Sequence, residues 1–144
     1  MSGPVRAPRR PLSPAAKARL ATEIVVTYAR VRRSMADGDV RVALERLRGQ
    51  PAPAQPDPAA REVLVEGVAL GRAVTRTLRV LPADSRCLMR SLVLTNLLAR
   101  RGIESSLVLG VRPGESFAAH AWVEHDSAPL LDPGDFASRR LATL

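Results

Sequence analysis

Residues 85–111 read SRCLMRSLVLTNLLARRGIESSLVLGV, and the change of texture at Gly102 decides the fold. Before the glycine the run is a long, strongly apolar helix that begins near Cys87, the only cysteine in the chain. After it, ESSLVLGV (104–111) and FAAHAWVEH (117–125) have the character of short strands joined by the Pro-Gly turn RPGES. APLLD (128–132) supplies a third strand. Helices first and an antiparallel meander afterwards predict an α+β fold, with the cysteine at a helix N-terminus packed on a small antiparallel sheet.

Upstream, the chain reads as helical from 12 to 83. Ser13 is a plausible N-cap with Pro14 at the first helical position. Leu20, Ile24, Tyr28, Val31 and Met35 then recur at steps of three and four, and Gly38 ends the helix. DVRVALERLRG predicts a second, shorter helix closed by Gly49, and QPAPAQPDP (50–58) an extended loop. Val63, Leu70, Val74 and Leu78 mark a third helix that stops before Pro82. Residues 1–11 are basic, Pro-rich and expected to be disordered. The region 84–144 is expected to form the chemical core, in one compact unit with 12–83.

Composition bounds the function. At 144 residues the chain is one domain, large enough to bury roughly 70% of its unfolded surface. Four aromatic residues leave the core to Leu, Val and Ala. A single Cys excludes an internal disulfide and a Cys-rich zinc site, which predicts a reducing, cytoplasmic setting. No apolar run approaches the roughly 18–20 residues that span a bilayer, and no signal-type apolar stretch follows the basic start. Neither membrane attachment nor export is expected. The net charge of +8 is concentrated in residues 1–50, which hold eleven basic and four acidic residues. That imbalance implies an acidic partner or a solvated helix face. Nucleic-acid binding would also call for aromatic platforms or a reading motif, and neither is present.

Three residues assemble a chemical argument. Asp84 or Ser85 can cap the helix, placing Cys87 in its first turn, where unpaired N–H groups and the helix dipole favour a thiolate. Arg86 is adjacent, and Arg90 and Ser91 share the cysteine's face. His120 and Trp122 share one strand face, whereas His125 points away from His120, which argues against a two-His metal site. With HDS (125–127) as the hairpin loop, position 120 faces 132. His120 and the Asp132 carboxylate would then be cross-strand neighbours, with Cβ atoms about 4.5–5.5 Å apart. A thiol, an imidazole and a carboxylate to orient the imidazole meet the needs of nucleophilic catalysis, with no metal and no cofactor. The residues alone leave open a structural Cys and His in a non-catalytic basic binding module.

SRCLMRSLVLTNLLARRGIESSLVLGV, FAAHAWVE and LLD together resemble the C-terminal region of the leader peptidases of lasso-peptide biosynthesis, which are transglutaminase-like cysteine proteases. The resemblance covers about residues 84–135. It rests on Cys-Leu-x-Arg-Ser-Leu, Arg-Arg-Gly-Ile, His-Ala-Trp-Val-Glu and an Asp twelve residues after the His. It implies a transglutaminase-like, papain-like core, with Cys87 as nucleophile, His120 as general base and acid, Asp132 as orienting residue and Trp122 lining the site. It also implies a precursor leader peptide as substrate and a separate ATP-dependent cyclase as the next enzyme. With no all-β leader-binding domain before residue 84, it implies a separate leader-binding protein too. A transglutaminase-like acyl transferase would use the same residues with a different acceptor. The segment PGDFASRRLATL carries no pattern that the resemblance matches.

Overall fold

The computed structural model describes residues 11–36, 45, 60–81, 86–112, 114, 118–136 and 139–144. Apart from Glu45, which is helical, the expected second helix lies outside these residues, as do the proline-rich loop, residues 1–10 and the Asp84 and Ser85 caps. The rest is an α+β structure. Three helices, α1 (Pro14–Met35), α2 (Ala60–Leu78) and α3 (Arg86–Arg100), precede four antiparallel strands: β1 (Ser106–Arg112), β2 (Ala118–His125), β3 (Ala128–Pro129) and β4 (Arg140–Thr143). The strand order is β3-β2-β1-β4.

The start of α1 and the end of α3 each have a local reason. Ser13 caps α1 by accepting the Ala16 N–H at 3.2 Å, and Pro14 stands at the first position, where its missing N–H costs nothing. At the end of α3, Gly102 takes φ of +72°. Its N–H donates to the Ala99 carbonyl, while the Ile103 N–H reaches back to Leu98. These are the two bonds of a Schellman cap, with Ile103 buried behind it.

α3 is the centre of the molecule. Leu92, Val93, Leu94, Leu97 and Leu98 are all fully buried, as an all-round apolar helix requires. α1 and α2 cover one side through Ile24, Tyr28, Val31, Val63, Leu70 and Val74, and the sheet covers the other through Leu107, Ala121 and Val123. Arg101, just past the last turn, donates to both carboxylate oxygens of Glu23 (3.2 and 2.8 Å) and to the Leu97 carbonyl, tying this end of α3 to α1. No helix among the described residues is long and apolar enough to cross a membrane.

The β2–β3 hairpin differs from expectation in register. Its loop is the two-residue turn Asp126-Ser127, both with positive φ (47° and 64°). Two successive left-handed residues match the right-handed twist of the flanking strands, so the tighter turn replaces the expected loop 125–127. His125 therefore pairs with Ala128 and Glu124 with Pro129, one step from the expected pairing. β3 also stops at Pro129 rather than running to 132. The Leu130 and Leu131 N–H groups both turn onto the Val123 carbonyl, and the chain leaves the sheet. The segment without a recognisable pattern supplies β4, which pairs with β1 across an irregularity at Leu109/Gly110.

Candidate active site

Because β3 ends early, the 118–122 half of β2 has no strand beside it on that edge among the described residues. The loop 130–136 crosses there instead, and a cleft of about 460 Å³ opens between it and the helices. Thr75 of α2, Cys87 and Arg90 of α3, His120 and Ala121 of β2, and loop residues 131–136 form its walls.

Cys87 stands in the first turn of α3, half-buried with a free thiol, and is one of the residues that line the cleft. Arg90, one turn on, lines the same cleft, and its buried Nε–H has no acceptor among the described residues. Ser91 is not among the residues that line the cleft: it is wholly buried, with its hydroxyl unpartnered among the described residues.

His120 is held on three sides. Its ring lies 6.0 Å from Trp122 in a stacked arrangement and 5.4 Å from the tilted ring of Phe136. Its Nε2 is 2.9 Å from the main-chain carbonyl oxygen of Asp132. The Asp132 carboxylate is turned elsewhere: Oδ1 accepts the Gly134 N–H at 2.8 Å. The structure thus brings residues 120 and 132 together, through the backbone of the second rather than the cross-strand carboxylate contact expected from the hairpin. The register change is the reason, since position 132 belongs to a loop and not to a paired strand.

Trp122 supports the ring from behind instead of lining the cleft. Fully buried, it donates from Nε1 to Glu124 Oε1 at 2.8 Å. Arg140 of β4 reaches the same buried carboxylate with two bonds (2.9 and 2.8 Å). Sequence reasoning assigns no role to Arg140, and none to Glu124 beyond its place in His-Ala-Trp-Val-Glu, although the period of two places Glu124 on the face of Trp122. Gly110 makes room for this arrangement: a Cβ there would stand 2.9 Å from Trp122 Cζ3 and 3.1 Å from Phe136 Cβ. His125 faces away and bonds through Nδ1 to the Glu104 carbonyl.

A thiol at a helix start and an imidazole on the facing strand edge, in one cleft, are the parts of a nucleophile and its base. A profile of the transglutaminase-like superfamily matches residues 25–142, which span α1 to β4. The chain belongs to the transglutaminase-like superfamily. That fold commonly serves cysteine proteases and acyltransferases, and the three-helix, four-strand architecture agrees with a transglutaminase-like core. No curated protein and no solved structure matches the chain.

Proposed function

We propose that this transglutaminase-like protein is a cysteine peptidase that removes the leader from a lasso precursor peptide. The observation that carries the chemistry is the shared cleft: Cys87 and His120 line it together, with the residue-132 carbonyl on the ring. The motif resemblance around Cys87, His120 and Asp132 supports the choice of substrate. Cys87 attacks the last leader carbonyl as His120 takes the thiol proton. Backbone N–H groups near the start of α3 stabilise the oxyanion. The C–N bond then breaks, the imidazolium protonates the departing core amine, and a thioester remains. Water activated by His120 hydrolyses it, releasing the leader acid and the thiol. A separate leader-binding protein presents the precursor, and an ATP-dependent cyclase closes the new N-terminus. The basic composition of residues 1–50 is complementary in charge to an acidic leader or carrier.

The test is mass analysis of a precursor incubated with this chain and a leader-binding protein. A free leader acid and a free core are expected, and none from Cys87→Ala folded to the wild-type circular dichroism spectrum. Cleavage at the wild-type rate by that variant would remove the nucleophile assignment. A leader–amine adduct in place of the acid would mark the acyl transferase that the superfamily also accommodates.

A further inference from the structure

We propose that the main-chain carbonyl of Asp132 orients His120, while the Asp132 carboxylate acts one step back by holding the turn that presents this carbonyl. The proposal rests on the reading of Cys87 and His120 as nucleophile and base, and refines it. A carbonyl oxygen can only accept a hydrogen bond, so the 2.9 Å contact requires the proton of the neutral ring to sit on Nε2. Nδ1, which has no hydrogen bond among the described residues, keeps its lone pair, and it is the nitrogen left to receive the thiol proton.

The carbonyl is placed by four independent features. The two-residue turn at 126–127 shifts the register so that residue 132 approaches β2 from a loop. Leu130 is anchored to Val123 by its N–H at 2.8 Å. Gly71 of α2 lets the Leu130 carbonyl lie against the helix, where a Cβ would stand only 2.7 Å from the oxygen. Gly134, whose N–H donates to Asp132 Oδ1, takes φ of +54°, which lets the chain turn directly after that bond. Phe136 at the end of the same loop closes on the ring. The carboxylate is therefore occupied with its own loop, and its influence on the imidazole passes through the backbone. Because a peptide dipole rather than a full charge faces Nε2, this arrangement selects the tautomer without an ion pair.

The decisive variants are Asp132→Ser and Asp132→Ala. A serine hydroxyl can accept the Gly134 N–H, more weakly, and so keep the turn, but it offers no carboxylate. Long-range 1H–15N spectra of histidine-labelled protein at alkaline pH report the tautomer, with His125→Ala separating the two histidines. Expected is the Nε2–H form of His120 in the wild type and in Asp132→Ser, and a mixture of tautomers in Asp132→Ala. A tautomer lost equally in Ser and Ala variants that retain the fold would overturn the proposal and return the role to the carboxylate. The underlying reading is checked separately by the pH–rate profile of Cys87 alkylation with iodoacetamide. His120→Ala should slow alkylation at pH 7 on the order of tenfold, because an unassisted thiol is only a few per cent ionised there. An unchanged profile in His120→Ala would sink the Cys87–His120 pairing while leaving the tautomer result to stand or fall by itself.

Discussion

Two glycines one turn apart on α2 make a paired test of how the cleft loop is held. Gly67 and Gly71 both face the loop that follows β3, and both are buried inside the helix. Alanine at either position gains about 1 kcal/mol of helix propensity, so that term cancels between the two variants. What differs is the neighbour. At Gly67 the new methyl meets the side-chain tips of Leu130 at 2.9 and 3.0 Å, which a rotamer adjustment relieves. At Gly71 it meets the Leu130 carbonyl oxygen at 2.7 Å, and the Leu130 N–H is tied to Val123. Backbone pinned in this way moves only with the loop, and such overpacking costs about 1–3 kcal/mol. Gly67→Ala should therefore melt close to the wild type. Gly71→Ala should melt below Gly67→Ala by that same 1–3 kcal/mol, roughly 4–12 °C at about 4 °C per kcal/mol for a chain of this size. Thermal unfolding followed by circular dichroism at 222 nm measures the difference. Equal melting temperatures for the two variants, or a more stable Gly71→Ala, would refute the claim that α2 and the loop touch backbone to methyl.

Other substitutions probe the supports of His120. Gly110→Ala should cost about 1–3 kcal/mol by overpacking Trp122 and Phe136, and it should shift the emission of the single tryptophan; an unaltered spectrum and stability would deny the contact. Glu124→Ala leaves the buried Trp122 Nε1–H without its acceptor and should cost about 1–3 kcal/mol in urea unfolding, whereas Glu124→Gln, which can still accept that bond, should cost less. Arg101→Ala removes both bonds to Glu23 and should lower stability by about 1 kcal/mol, with cleft alkylation of Cys87 unchanged, because the contact lies at the opposite end of α3.

How much of this was legible depends on the kind of signal each residue leaves. The helices were readable because Ile24, Tyr28 and Val31, or Val63, Leu70 and Val74, repeat at helical spacing, and because Ser13-Pro14 and Gly102 mark ends by backbone chemistry. β1 and β2 were readable from their runs of Val, Leu and alternating residues. The hairpin register was not, since HDS and DS are both compatible loops and only the φ values of Asp126 and Ser127 decide between them. β4 was hidden because Arg140–Thr143 is short, mostly exposed and flanked by charge, so that its pairing with β1 is tertiary. The residues of the cleft were visible as chemistry: one Cys, a His in a strand, an Asp beyond it. Their mode of contact was not, because a sequence names side chains, whereas His120 bonds to a carbonyl that every residue carries. The glycines of α2 and Gly110 likewise reveal their purpose only once their neighbours are placed.

The division of labour in the cleft follows from these supports. α3 is locked in the core, so the position of Cys87 is bound to the stability of the whole molecule. His120 is fixed by the outer face of the sheet, where Arg140 reaches over β1 to the Glu124 carboxylate that also holds Trp122. Residues 131–136, by contrast, supply six of the eleven described residues that line the cleft, and they belong to no strand or α-helix. A side chain exchanged there alters the walls of the cleft without unseating Cys87 or His120. The constraint on such exchange is narrow and local: Leu130 must stay against Gly71, Gly134 must keep its positive φ, and the residue at 132 must still accept the turn's N–H. Within those limits the loop is the element through which the cleft can vary while Cys87 and His120 stay fixed.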